Sequence, residues 1–432
     1  MRLWIRNGRL IDPATKLDAV QDLWIADGRI IASGSAPAGF EAERSIDAGG
    51  LVVCPGLVDL CARLREPGQE YKATIATETA AAAAAGITTL ICPPDTDPVI
   101  DTPAVANLIQ RRAQAAGKAR VLTVGALTQG LESTQLSEMG ALKEAGCVAM
   151  SNAGRPIANT LVMRRAMEYA ATHALTVFLH AEDPWLSNHG CMHEGQVSNR
   201  LGLAGIPEAT ETVAVARDLA LVQQTGVRAH FCRLSTTQAV RMVARAQYDG
   251  LPVTADVSAH HLHLTEIDIG DFDSQCHVLP PLRTQRDRDG LRGGLARGTL
   301  LAICSDHQPH EADAKLAPFA ATAAGISALE SLLPLSLRLV EDGVMSLMEV
   351  ISRLSYQPAR LLGVEAGTLG VGAVADLCLF NPDEEWEFAA QHMHSRGHNT
   401  PFTGWQFKGR TVMTVFSGNI VFEREIAPPG QF

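Results

Sequence analysis

The chain has 432 residues, 46% of them hydrophobic and 19% charged, enough apolar material for a large core. Its formal net charge of −11 weighs against nucleic acid or an anionic membrane surface as partners. No run approaches ~20 apolar residues, so no transmembrane helix is expected. Nine singly scattered cysteines without a CxxC pair suit reduced thiols in the cytoplasm.

The first residues, Met1 to Gly8, lack the apolar stretch of a signal peptide. Residues 1–53 read as short strands: Leu3 to Asn7 alternates, Asn7-Gly8 reads as a turn, and Asp27-Gly28 is a hairpin signal. Near the other end, Ala375 to Phe380 and Thr411 to Phe416 read as strands, and Ser417-Gly418-Asn419 turns into Ile420-Val421-Phe422. Neither end holds enough β-structure for a stable sheet alone. Residues 1–53 and 365–432 are therefore expected to combine into one small β-sandwich beside a central domain.

Between them, over residues 54–364, strands alternate with helices. Leu51 to Leu64 is the first predicted strand. A helix over Thr74 to Ala85 follows, with alanine from Ala80 to Ala85, and Gly86 ends it. Further strands are predicted at Ile87 to Cys92, Val121 to Val124, Cys147 to Ser151, Thr176 to His180, Arg228 to Cys232, Val253 to Val257 and Leu300 to Cys304. Eight apolar strands, each followed by a helix or long loop, make the α/β pattern of a (β/α)8 TIM barrel.

Chemistry in such barrels sits at the C-terminal strand ends. Strand one ends in Cys61, Arg63 and Arg65, and strand two in Pro93-Pro94-Asp95. Strand four ends in Ser151-Asn152, strand five in His180-Ala181-Glu182 and strand six in Arg233. Strand seven leads to His260-His261-Leu262-His263, and strand eight to Asp306-His307 with His310.

Several runs at barrel spacing carry a resemblance: Leu64-Arg65-Glu66-Pro67-Gly68, Met192-His193-Glu194-Gly195, His260-His261-Leu262, Pro280-Pro281-Leu282-Arg283, Asp306-His307 with His310, and Asn399-Thr400-Pro401-Phe402. At these positions the chain resembles the long-chain dihydroorotases of the amidohydrolase superfamily. The resemblance implies a centre of one or two zinc ions that activate a water and polarise a cyclic amide. It also implies which residues would hold the metal, and here most have changed. The paired strand-one histidines are Cys61 and Arg63, the bridging carboxylate of strand four is Asn152, and the strand-six histidine is Arg233. His180 and Asp306 are kept.

An always-charged guanidinium cannot ligate a cation. Asp306 without a metal is a buried carboxylate that needs a cation, and Arg63 or Arg233 is placed to supply one. The alternative ligand set is Cys61, His180 and Asp306, offering S, N and O to a zinc. On the substrate side the resemblance matches Arg65 to a carboxylate-gripping arginine and His310 to a second contact. Asp95 and Leu279 replace its asparagines, and Asp95 would repel an anionic substrate. His180 reads as a core histidine, and Cys61 as a small core residue more readily than a reactive thiol.

The expectation is a protein without catalytic residues and without a cofactor. Degenerate copies in this family serve as structural partners of aspartate transcarbamoylase in pyrimidine synthesis. The resemblance implies that catalytic subunit as partner, together with a homodimer. The competing expectation is an active zinc-dependent cyclic amidohydrolase with an atypical metal site.

Overall fold

The computed structural model describes residues 1–424. Residues 425–432 of the predicted C-terminal segment lie outside the described residues.

Strands from both ends of the chain lie in one eight-stranded sheet. It contains β1 (Leu3–Asp12), β2 (Leu17–Ala26), β3 (Arg29–Ser33), β4 (Arg44–Asp47) and β5 (Val52–Pro55) from the N-terminal part. From the C-terminal part come β16 (Leu377–Glu387), β17 (Gln406–Phe416) and β18 (Asn419–Glu423). The two sets meet where β16 pairs antiparallel with β5. Leu3, Ile5, Leu23, Ile25, Leu377, Leu379 and Val415 bury one face in a core separate from the barrel's.

The Asp27-Gly28 signal forms the β2–β3 hairpin, with φ of 50° and 75° at its two central residues, the left-handed pair a tight hairpin requires. Asn7-Gly8 does not turn the chain. It is a bulge inside β1, where the register to β2 shifts between Ile5 and Gly8. Asn7 takes a φ of 59°, and its backbone N–H finds Asp22 Oδ1 at 3.0 Å. A Cβ at Gly8 would stand 2.6 Å from Val53 Cγ2, so close packing on β5, rather than reversal, uses the glycine there.

The predicted strand from Leu51 to Leu64 is two strands. β5 belongs to the terminal sheet, and β6 (Leu57–Asp59) opens the barrel. Gly56 divides them, because a Cβ there would lie 2.2 Å from Thr88 Oγ1. The barrel continues through β7 (Ile87–Cys92), β8 (Arg120–Ala126), β9 (Ala149–Ser151) and β10 (Thr176–His180). A short pair, β11 (Met192–His193) with β12 (Gly205–Ile206), lies in the next connection. β13 (Ala229–Cys232), β14 (Val253–Ser258) and β15 (Ala302–Cys304) complete a parallel eight-stranded sheet in sequence order. Closure comes just past the strands. Arg63 N–H donates to His307 O at 2.9 Å, and His307 N–H to Cys61 O at 3.1 Å.

Helix α1 (Ile75–Ala84) starts on a capping box between Thr74 and Thr77. Its Glu78 is fully buried and meets His307 Nε2 at 2.7 Å, while Ser395 Oγ donates to it, also at 2.7 Å. One carboxylate thus ties the first helix to the last strand end and to the returning C-terminal segment.

Candidate functional site

The ends of β6, β7, β10, β13 and β15 bring Cys61, Arg63, Asp95, His180, Arg233 and Asp306 together at the barrel mouth. Arg65, Arg233 and Asp306 all have left-handed backbones, with φ of 63°, 55° and 48°. Such conformations cost of order 1–3 kcal/mol for residues with a Cβ and persist only where surrounding bonds enforce them.

Asp306 Oδ1 is the centre of the group. Arg63 Nη1 donates to it at 3.3 Å, and the Cys61 thiol lies at 3.4 Å. Arg233 Nε lies 3.4 Å from the same oxygen as an ion-pair contact. The angle does not make it a hydrogen bond, and that Nε has no hydrogen-bond partner. The second oxygen accepts from Gln308 Nε2 at 3.2 Å. Arg63 then turns its Nε to Asp95 Oδ2 at 2.7 Å. Two guanidinium groups and two carboxylates therefore balance in a buried cluster.

The remaining donors of Arg233 take up the other would-be ligands. Its Nη1 is 3.2 Å from Cys61 Sγ and its Nη2 3.5 Å from His180 Nδ1. His180 Nε2 in turn faces Glu182 Oε2 at 2.8 Å. Burial opposes the charge on Asp95, but the Arg63 guanidinium prevails and holds its carboxyl below the usual range. Burial pushes the Cys61 thiol up despite both arginines, the opposite of a reactive thiolate.

These residues do not fit a metal. Cys61, His180 and Asp306, the alternative ligand set, each face a guanidinium at contact distance. A zinc dication among them would meet two fixed positive charges, each worth about 8 kcal/mol of repulsion at 4 Å and an effective dielectric of about 20. Among the described residues, the one group whose ligand atoms lie within 4.8 Å of one another is His230, Cys232 and Asp256. It is internally satisfied: His230 meets Asp256 Oδ2 at 3.0 Å and Thr254 Oγ1 at 2.7 Å.

Asn152 does not join the cluster through its polar atoms. Its Oδ1 accepts from Thr128 N at 3.2 Å and Thr128 Oγ1 at 3.1 Å, bracing the loop after β8. Arg65 bonds to Pro309 O at 3.0 Å and Gln69 Oε1 at 3.4 Å. His310 Nε2 lies 3.0 Å from Ala324 O and 3.1 Å from Arg65 Nη2, and His310 Nδ1 lies 3.4 Å from Lys72 Nζ. Burial, Arg65 and Lys72 push its pKa down to about 3. The neutral tautomer with Nε2–H donating to Ala324 O leaves Nδ1 to accept from Lys72.

The loop over residues 312–324 meets this side at Ala324 O, beside His310, and is pinned to residues 274–277. Lys315 Nζ donates to Ser274 O at 3.0 Å, Ser274 Oγ donates to Lys315 O at 2.8 Å, and His277 Nδ1 meets Thr322 Oγ1 at 2.8 Å. Within the barrel mouth, Cys61, Arg63, Phe178, His180, Cys232 and Arg233 line a cavity of about 20 Å³. That is on the order of one water.

The group His260, His261 and His263 is structural. His260 Nε2 and His261 Nδ1 share Ser258 Oγ at 3.1 and 2.6 Å, and His263 Nε2 donates to Leu335 O at 2.8 Å. Sequence reasoning placed Glu182 at a strand end without giving it a partner, and missed Lys72 and Gln308 as partners in the site. Glu182 stands two residues after His180 and Gln308 two after Asp306, a spacing that marks both; Lys72 carried no such signal.

The fold is a (β/α)8 TIM barrel that gathers these polar side chains at the C-terminal ends of its strands. Solved structures agree on the fold. L-hydantoinase (dihydropyrimidinase) from Arthrobacter aurescens matches with a TM-score of 0.87 at 24% identity, covering 98% of this chain and 96% of that one. Dihydropyrimidinase from Brevibacillus agri matches with 0.83 at 22% identity, covering 98% and 95%. A family model described as dihydro-orotase-like matches residues 50–239. A "dihydroorotase-like protein" of Pseudomonas aeruginosa is 51% identical over 98% of this chain and 100% of its own length. A "dihydroorotase" of Geobacter sp. (strain M21) is 44% identical over 98% and 100%. The chain belongs to the dihydroorotase-like family.

Proposed function

We propose that this chain is a non-catalytic dihydroorotase homologue that works as an assembly subunit for the aspartate transcarbamoylase catalytic chain in pyrimidine synthesis. The observation that carries the loss of catalysis is the double contact of Asp306 with Arg63 and Arg233. It puts guanidinium charge where the family's chemistry needs zinc. The small cavity of about 20 Å³ supports the same reading. The partner is proposed from the resemblance alone, and so are a homodimer and a cytoplasmic location. No helix of the described residues is long and apolar enough to cross a membrane.

A second reading, an active cyclic amidohydrolase with an atypical zinc site, draws support from relatives such as the 44% identical "dihydroorotase". Native purification separates the two. The proposal expects the aspartate transcarbamoylase chain to co-purify in fixed stoichiometry, no stoichiometric zinc and no dihydroorotate formation. Zinc at one per chain together with dihydroorotate formation would establish the second reading instead.

A further inference from the structure

We propose that Cys54 and Cys378 are the site of a reversible disulfide across the seam between the two ends of the chain. The two residues are Cα partners in the antiparallel pairing of β5 with β16. Directly opposed residues in such a pair stand about 4.5–5.5 Å apart with side chains on one face. A disulfide needs Cα atoms about 4.4–6.8 Å apart.

The alternation along these strands fixes the direction of both sulfurs. Val53 and Leu379 enter the core of the terminal sheet, while Cys54 and Cys378 enter the core shared with the barrel. There Cys54 Sγ lies 3.6 Å from the carbonyl oxygen of Cys378. The neighbouring Cys378 thiol, ahead of burial, pushes the Cys54 thiol up from its ordinary range. Gly86 gives the second sulfur its space, since a Cβ there would stand 2.3 Å from Cys378 Sγ. Strand cysteines elsewhere have other partners: Cys92 faces Thr123, Cys232 faces His180 and Cys304 faces Ser258. All nine cysteines are free thiols in this structure.

The oxidant is a low-molecular-weight disulfide. One cysteine, as thiolate, attacks it, forms a mixed disulfide and releases one small thiolate. The second cysteine, as thiolate, then attacks the protein-bound sulfur and releases the other. Two electrons pass to the small disulfide, which leaves as two thiols carrying the two protons lost by the protein. Both cysteines are fully buried, so exchange takes place before β16 docks on β5 or during opening of that seam. The bond would close a loop between residues 324 positions apart and fasten the terminal sheet where it enters the barrel.

The test refolds the full-length chain in a reduced and oxidised glutathione buffer, quenches with acid and digests without reduction. The expected product is a linked peptide pair containing Cys54 and Cys378, about 2 Da lighter than the two free thiol peptides. The oxidised protein should melt about 3 °C or more above the reduced one. Cys54→Ala, and separately Cys378→Ser, should lose both the linkage and the redox-dependent shift. Recovery of all nine cysteines as alkylatable thiols after denaturation, or a linkage through other cysteines only, would overturn the proposal. If Cys378→Ser does not fold, Cys54→Ala carries the test.

Discussion

Arg233 stands between His180 and Asp306, its Nη2 3.5 Å from His180 Nδ1 and its Nε 3.4 Å from Asp306 Oδ1. The resemblance to the dihydroorotases implies metal ligands at these two positions. The guanidinium links them, and its Nη1 extends to Cys61 Sγ at 3.2 Å. One side chain therefore engages the whole donor set that the sequence leaves available.

The first prediction concerns stability. Asp306→Asn leaves Arg63 with Asp95 but takes the carboxylate from Arg233, and breaking a buried pair from one side costs about 3–5 kcal/mol. Arg233→Met should cost a similar amount. The double variant Arg233→Met/Asp306→Asn should cost clearly less than the sum, because Arg63 keeps Asp95 and no charge is left stranded. Urea unfolding of the three variants measures this. Strict additivity would show that Arg233 and Asp306 do not act as a pair.

Acid should unfold the protein early. His260, His261, His263 and His310 have pKa values pushed down to about 3, and His193 and His277 to about 4, with burial the largest cause in each. The unfolded chain takes up protons below about pH 6.5 that the folded chain refuses. Stability is therefore full above that pH and falls as pH drops from about 6.5 toward 3, by up to about 1.4 kcal/mol per pH unit for each histidine. Asp59 and Asp218 work the other way between about pH 6 and 4, because burial raises both to about 6. Asp376 and Glu266 are raised as well, but six depressed histidines against four raised acids still leave a net loss. The urea midpoint should drop markedly between pH 7 and pH 5, and an unchanged midpoint would contradict the buried neutral histidines.

Lys315 should act as the bolt of the 312–324 loop. Its ammonium is held by the carbonyls of Ser274 and His277, at 3.0 and 3.4 Å, and burial pushes its pKa down to about 8. Lys315→Ala removes both bonds and should speed amide hydrogen exchange across residues 312–324 by about tenfold or more, about 1.4 kcal/mol of local opening. Protection in β8 and β10 should stay as it was. A loop that exchanges no faster would assign its closure to His277 and Thr322 instead.

Much of this fold is legible from the chain. Apolar strands at even spacing gave the barrel, and Asp27-Gly28 its hairpin. Asn7-Gly8 misled because the same dipeptide serves a turn or a bulge, and only packing against Val53 decides which. Leu51 to Leu64 ran together because Gly56 breaks the strand to clear Thr88, a contact 32 residues away in sequence. In the site, Cys61, Arg63 and Arg233 stand out by the residues they replace. The Arg63–Asp95 bond and the Glu78–His307–Ser395 group join segments far apart in the chain, and no local pattern marks them. Asn152 shows the limit most plainly: its position suggested a lost ligand, while its amide is employed on Thr128.

A restoration series bears on the same centre. Cys61→His, Arg63→His, Asn152→Asp and Arg233→His together remove both guanidinium groups and return the family's ligand types. The combined variant should gain zinc in equilibrium dialysis where the parent gains none. Cys61→His alone should gain none, because Arg63 and Arg233 remain. Zinc uptake by that single variant would show that the guanidinium groups do not bar the metal.

The most direct measurement is the zinc content of the protein purified natively, without chelators, with dihydroorotate formation assayed on the same sample. Zinc far below one per chain, no turnover, and no gain of either on adding zinc are expected. One zinc per chain with dihydroorotate formation above background would contradict the proposed loss of catalysis.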